Sequence, residues 1–350
     1  MTSASLTMAQ SPPDVEPADI KRLGNAFCHA KLLLTASELG LFADLDRNRG
    51  GTAAQIGARL GLHPRGSRDF LNALVALGLL GKDGDQYHNS EVSSSYLLPG
   101  GPVAMGGFLN RANRVLYPAW SRLTEALRTG EPQVPAAQAG QFERMLADPR
   151  QRTQYLEMMD SVNSLIAPRL ADLFDWPNHR RLVDVGGARG NLVAQLVRAH
   201  PHLTGCVFDL PEMADPFAEH VRTLVPDGQV TFRAGDFFAD PLPEGDVLIL
   251  GHVLHNWSPE ERQLLIGKAF AAVRPNGWLL VYDAMLDEEP TDLARILVSI
   301  NMLLVTSGGS EYPVSECRQW MAAAGFVDVH DRELGVTDTL VAGRKPALSQ

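Results

Sequence analysis

The chain is short of cysteine, of basic charge and of long apolar runs. Three cysteines among 350 residues, Cys28, Cys206 and Cys317, are far apart and odd in number, which excludes a disulfide framework and a CxxC metal site. They are expected to be reduced core fillers. Lys and Arg number 31 against 41 Asp and Glu, and a formal charge of −10 repels nucleic acid and anionic membrane. No apolar run approaches the roughly 20 residues that a bilayer-spanning helix needs. The opening "MTSASLTMAQSPPDVEP" lacks the charged-then-apolar pattern of a signal peptide, so a cytoplasmic protein with no membrane partner is expected. What is present, 45% apolar and 21% charged residues, is the balance of a globular chain that buries a real core.

Residues 1–17, rich in Ser and Pro and without periodicity, read as a disordered tail. From Ala18 the apolar spacing predicts short helices in "ADIKRLGNAFCHAKLLLTASELG", "TAAQIGARLGL" and "PRGSRDFLNALVALGLL", then a ribbon at "GKDGDQYHNS". That order is a winged helix, placed at 18–110. It is poorly equipped to read DNA: the third helix offers Arg65 and Arg68 with Asp69 beside them, and residues 1–100 hold nine Lys and Arg against ten Asp and Glu. Packing or dimerisation through an apolar surface is the blander use. Linking helices at 111–178 lead to a region at 179–346 where "RRLVDVGG", "LTGCVFDL", "QVTFRAGD", "DVLILGHV" and "WLLVYDAM" alternate with helical segments. Such alternation gives right-handed crossovers and an α/β fold, a parallel sheet covered on both faces. The final runs "FVDVHDREL" and "TDTLVAGRK" lie close enough to form a hairpin, adding an antiparallel strand.

In "LVDVGGARGNLVAQLV" a buried strand ends at Asp184, a glycine turn follows, and a helix opens near Asn191. Glycines permit close backbone approach, and a helix N-terminus offers unpaired N–H groups to a polar or anionic ligand. The glycines at 186, 187 and 190 depart from the dinucleotide G-x-G-x-x-G pattern, and such turns also serve merely to pack a helix on a strand. Context strengthens the ligand reading. The next strand ends at Asp209, 19 residues past Gly190, where an acid accepts from both ribose hydroxyls; the third ends in "GDFF", where Asp236 and Phe237 can read the amino edge and the face of adenine.

On "DVGGARG", "FDLP", "GDFF", "LHNW", "GGSEY" and the terminal "AAAGF", the chain resembles, over roughly residues 20–345, the class I S-adenosylmethionine-dependent small-molecule O-methyltransferases, a family that includes plant caffeate-type and bacterial antibiotic-tailoring and hydroxyneurosporene-type enzymes. The resemblance implies a Rossmann-like catalytic domain with a mostly parallel seven-stranded sheet and one antiparallel strand. It implies that Asp184, Gly186, Gly187 and Gly190 hold the methionine part of the cofactor, Asp209 the ribose, and Asp236 with Phe237 the adenine, Leu210 and Gly251 joining this set. It also implies that the N-terminal winged-helix-like module makes a homodimer. Ala188 stands where many relatives have Gly.

"SPEE" reads as a helix start, with Ser258 as N-cap, Pro259 first and Glu261 closing a capping box, so His255 lies in the short loop after strand four, on the cofactor's edge. A hydroxyl of pKa near 10 is a poor nucleophile at neutral pH, and an imidazole, a side chain that ordinarily titrates near 6.5, is the base such chemistry needs. The resemblance assigns the base to His255 with two flanking acids, Asp283 in "VYDAM" and Glu311 in "GGSEYP". Asp283 replaces a glutamate and Asn256 an aspartate common in relatives, and "EYP" replaces a common "ERT". Glu311 can also be a loop carboxylate in water. His252, three residues before His255, can ligate a metal with His255 and an acid, or point into the interior or toward the cofactor's tail; no metal is assigned. Met158, Met159, Trp120 and Met302 are core or acceptor pocket, and Asn301 orients the acceptor by resemblance. The expected function is methyl transfer to a small-molecule hydroxyl. The alternatives are C- or S-methylation of a small acid with possible metal help, a DNA-binding regulator, and a cofactor binder that transfers nothing.

Overall fold

The computed structural model describes residues 16–98, 103–134, 146–335 and 337–347, and the chain divides into two compact units between Ser93 and Ser94. The expected tail at 1–17 falls mostly outside the described residues, but Pro17 already opens a helix, with Glu16 and Asp19 forming its capping box.

The first unit runs through helices α1 (Pro17–Gly24), α2 (Ala26–Glu38), α3 (Leu41–Asn48), α4 (Ala53–Leu60) and α5 (Pro64–Ala76). A three-stranded antiparallel sheet joins β1 (Gly51–Thr52), β2 (Leu80–Asp83) and β3 (Gln86–Asn89) in the order β1-β3-β2. The wing is the β2–β3 ribbon that the sequence predicts. The first helical pattern is in fact two helices broken at Asn25, and α3 follows Gly40, whose φ of +67° reverses the chain. Cys28 lies exposed on α2, against the core role expected of it; Cys206 and Cys317 are buried.

The second unit begins with α6 (Glu91–Tyr96), which crosses the boundary, α7 (Gly106–Arg111), α8 (Tyr117–Trp120), α9 (Leu123–Thr129) and the 25-residue α10 (Pro149–Leu173), which Asp148 caps through two backbone N–H groups. The seven strands are β4 (Arg181–Val185), β5 (Thr204–Asp209), β6 (Val230–Ala234), β7 (Gly245–Gly251), β8 (Val273–Asp283), β9 (Val327–Glu333) and β10 (Thr339–Arg344). Their order is β6-β5-β4-β7-β8-β10-β9, with β10 antiparallel to both neighbours and the β6-to-β8 strands parallel. Val247, Leu248, Ile249 and Leu250 in β7 are fully buried, because helices cover both faces. One face packs under α10 and α11 (Asn191–Ala199); α12 (Ala214–Val221) follows β5. The other face packs under α13 (Pro259–Ala272) and α15 (Val314–Ala324), while α14 (Leu293–Val305) follows β8. A leucine so buried is worth about 1.5–3 kcal/mol.

Candidate active site

β4 and β7 are neighbours from which the strand order runs outward in opposite directions, β5 and β6 on one side and β8 on the other. Loops leaving such a point diverge and open a crevice at the C-terminal strand ends. A cavity of about 390 Å³ lies there, lined in part by Gly186, Asp209, Leu210, Asp236, Phe237 and Gly251, all expected in the cofactor site. Asp184, Gly187 and Gly190 lie behind the wall. The Asp184 carboxylate takes the place of a side chain at Gly187, where a Cβ would stand 2.5 Å from Oδ2, and Gly190, at φ +79°, starts α11 with Phe217 and Val221 pressed against it.

Asp209 does two things at once. Its Oδ2 accepts from the Ala188 N–H and its Oδ1 from the Leu210 N–H, both at 2.7 Å, which ties the glycine turn to the end of β5. Each oxygen keeps a lone pair, and two acceptors side by side suit a vicinal diol. Burial raises this carboxyl to about 6 against those two bonds, and burial with Asp209 nearby raises Asp184 to about 7. Ala188 itself has φ +49°, a left-handed conformation that costs a non-glycine residue about 1–2 kcal/mol. Asp236 Oδ1 accepts from the Phe238 N–H at 2.8 Å, leaving its second oxygen for a donor in the cavity. Edge-on contacts with Phe238 and Trp257 hold the Phe237 ring.

His255 sits in a 3-10 turn, Leu254–Asn256, after β7, held beneath the capping box of Ser258 and Glu261 that the sequence predicts. Its Nδ1 lies 2.7 Å from Glu311 Oε1 and 3.3 Å from Asp283 Oδ1. The Tyr312 hydroxyl donates to Asp283 Oδ2 at 2.6 Å. Gly309 makes this approach possible: a Cβ there would stand 2.4 Å from the His255 carbonyl oxygen. With Nδ1 committed to a carboxylate, Nε2 is the nitrogen left to accept a proton. The shorter Asp283 therefore still reaches the imidazole, and Glu311 is a buried partner rather than a loop acid in water.

His252 directly follows the C-terminal end of β7 with φ +53°, its N–H donating to the Tyr282 carbonyl. It lines the cavity, whereas His255, 7% exposed, does not. Its Nδ1 is 4.0 Å from Asp283 Oδ1 and its Nε2 3.5 Å from Asp338 Oδ1. His252, His255 and Asp283 bring ligand atoms within 4.8 Å of one another, a spacing that one cation can bridge. Among the described residues, four buried atoms of this cluster have no hydrogen-bond partner: His252 Nε2, Asp283 Oδ1, Glu311 Oε2 and Asp338 Oδ1. Burial drives the acids up, Asp283 to about 7 with His255 opposing, Glu311 to about 8 with His252 opposing. Burial lowers His252. The two carboxyls are brought by their burial into the neutral range.

Among the acceptor candidates, Met159 lines the cavity; Asn301 Oδ1 accepts from Trp120 Nε1 at 2.6 Å; Met302 joins an apolar cluster with Trp120 and Leu304; the half-buried Met158 lays its backbone against Gly107. The sequence reading missed Tyr155, Trp257 and Thr306 in the cavity wall, and Asp338, Tyr312 and Arg262 around the histidines. For Asp338 a signal existed: it precedes β10, whose first residue, Thr339, pairs with Asp283.

A family model described as an O-methyltransferase domain matches residues 120–327, and one described as an O-methyltransferase dimerisation domain matches 22–99. The chain belongs to the O-methyltransferase family. It is 46% identical over 332 residues to the tetracenomycin polyketide synthesis 8-O-methyl transferase TcmO of Streptomyces glaucescens, covering 94% of this chain and 97% of that one. The N,N-dimethyltransferase OxyT of Streptomyces rimosus is 36% identical over 348 residues, 97% of this chain and 100% of its own. Human N-acetylserotonin methyltransferase, solved in complex with SAM, superposes with a TM-score of 0.87 at 28% identity, over 96% of this chain and 100% of that one. This O-methyltransferase uses S-adenosylmethionine and acts on a small molecule. The rim fits that cofactor: Asp209 offers two acceptors to a diol, Phe237 a ring face, and Gly186 leaves space that a Cβ would close against Val253 at 2.9 Å.

Proposed function

We propose that His255 is the general base of hydroxyl methylation and that the acceptor is a phenolic hydroxyl of a fused-ring aromatic polyketide. The observation that carries the first half is the 2.7 Å pairing of His255 Nδ1 with the buried Glu311 at the end of β7, beside the cavity. The second half rests on the likeness to TcmO, named for polyketide synthesis, across nearly the whole of both chains, and on that to a 3-hydroxy-5-methyl-1-naphthoate 3-O-methyltransferase of Streptomyces sahachiroi, 33% identical over 322 residues. Bound at the rim, S-adenosylmethionine supplies an electrophilic methyl group on sulfur. His255 Nε2 takes the acceptor's proton as oxygen attacks, and Glu311 and Asp283 stabilise the imidazolium so formed. Asp209, Asp236 and Phe237 position the ribose and adenine, and Gly186 the methionine end. Met159, in the cavity wall, faces the acceptor. Incubation with a panel of phenolic polycyclic aromatics, amines and thiols, read by mass spectrometry, tests the acceptor class. Products heavier by one methylene from the phenols alone support it; transfer only to amines, as the name of OxyT would suggest, refutes it.

A second reading has a divalent cation shared by His252, His255 and Asp283, which their mutual distances favour. Loss of activity on chelation with restoration by one metal would support it, and activity indifferent to chelator would dismiss it. The winged-helix module at 18–110 is proposed to make a homodimer: Ile20, Leu23 and Phe27 expose an apolar stripe along α1 and α2, at 63%, 76% and 58%. Light scattering that gives twice the 38.1 kDa chain mass, and monomer for Leu23→Asp, is the expected result. No single described helix is long and apolar enough to cross a membrane, though one bent pair, Pro17–Glu38 with Leu41–Asn48, passes by length and composition. A cytoplasmic location fits the acidic charge and the reduced, unpaired cysteines.

A further inference from the structure

Arg262, on the first turns of α13, is 1% exposed, and its side chain is turned away from solvent towards the site. Its Nε donates to the Leu254 carbonyl at 3.0 Å, one residue before His255. Its Nη2 donates to the Ser310 carbonyl at 2.7 Å and to Ser310 Oγ at 2.9 Å, one residue before Glu311. The guanidinium carbon stands 4.7 Å over the Tyr312 ring, whose hydroxyl holds Asp283, and 5.9 Å over Trp320. A cation this buried is costly unless its donors find acceptors, and here Nε and Nη2 are spent on the two segments that carry the base and its partner.

We propose that Arg262 is the positioning residue of the site: a rigid fork that clips the His255 turn to the Glu311 loop and so sets the Nδ1-to-carboxylate pairing. The inference rests on the reading of His255 and Glu311 as a working pair. The Glu311 N–H also donates to Ser299 Oγ at 3.2 Å, which ties that loop to α14 but not to the His255 turn; Gly309 merely allows the approach, whereas Arg262 bonds both segments. The planar fork matters as well as the charge. A lysine ammonium keeps the cation but cannot serve the Leu254 and Ser310 carbonyls in the same fixed geometry. The groups facing His255 are Glu311 and Asp283 in contact and the His252 ring at 5.6 Å, with Asp338 behind His252 and Tyr312 behind Asp283.

The test needs no acceptor, so it stands apart from the substrate assignment. In ¹⁵N-histidine-labelled, full-length protein saturated with S-adenosylhomocysteine, the His255 Nδ1 proton is sought as a far-downfield resonance, assigned by its loss in His255→Asn. Arg262→Lys is expected to abolish or displace that resonance while the calorimetric affinity for S-adenosylhomocysteine stays at the wild-type value. An unmoved resonance in a folded Arg262→Lys protein overturns the proposal, as does a parallel collapse of cofactor affinity, which would make Arg262 a general prop of the fold. Should Arg262→Lys fail to fold, Ser310→Ala removes one contact of the fork and must shift the resonance; no shift overturns the proposal too. A wild-type protein without the resonance sinks the pair and its clip together.

Discussion

Two neighbouring parts of the rim are built on opposite principles. Around Asp209 and Asp236 the carboxylates are tied down by backbone N–H groups only a few residues away or one strand over, those of Leu210, Ala188 and Phe238, and the Asp236 N–H donates in turn to Asp240 Oδ2. Around His255 the partners come from segments far apart in the chain, at 252–255, 283, 311–312 and 338, and four buried polar atoms are left without hydrogen bonds. The first part is finished before a ligand arrives. The second holds unsatisfied acids and imidazoles in reserve, which is costly for folding and useful for moving a proton. Binding and chemistry are thus separable here, and substitutions should separate them.

The largest effect is expected from His255→Ala, which should slow methyl transfer by about 10²- to 10⁴-fold while S-adenosylhomocysteine binds as in the wild type, by single-turnover kinetics and calorimetry. Glu311→Gln leaves the imidazole in place but frees its orientation, and about a 10²-fold loss in kcat with an unchanged cofactor KM should follow. On the other side of the comparison, Asp209→Asn removes a charged acceptor from the diol and turns an amide N–H towards one of two backbone donors. Calorimetry should show cofactor affinity down about tenfold or more, at a cost of roughly 1.5–3 kcal/mol, with kcat at saturation nearly retained.

The acids give a pH signature. Asp283 and Glu311 are raised in the folded chain to about 7 and about 8, above their ordinary values. Between those ordinary values and the raised ones the folded chain holds protons that the unfolded chain has lost, so stability falls as pH rises through that window. Thermal unfolding should therefore show a lower midpoint at pH 8 than at pH 6, and Asp283→Asn should flatten the slope; a midpoint that rises over that interval contradicts the raised values. The smallest effect is expected at the glycine turn. Ala188→Gly relieves left-handed strain but frees the unfolded chain, so a net gain of up to about 1 kcal/mol should appear in denaturant unfolding, with affinity for cofactor unharmed.

The same contrast explains what could be read from the sequence. The glycine turn, Asp209, Asp236 and Phe237 were legible because each closes a strand of an alternating pattern, and the strand ends share one edge. The capping box at Ser258 placed His255 on that edge for the same local reason. Tyr312 was not legible, since it reaches the site through a loop pressed down at Gly309, and the signal at Asp338 becomes readable only once the register of β10 against β8 is known. Nothing in the sequence marks Arg262 among the charges on the first turns of α13; only tertiary packing turns it inward. Asn301, expected to orient an acceptor, has its Oδ1 bonded to Trp120, a contact between residues 181 positions apart.

The most direct measurement is a single-turnover assay with methyl-labelled S-adenosylmethionine and a phenolic acceptor, run on wild type and His255→Ala with cofactor binding measured on the same samples. The account predicts equal binding and a label transfer at least about 10²-fold slower in the variant. Equal transfer rates, or loss of binding along with transfer, would contradict it.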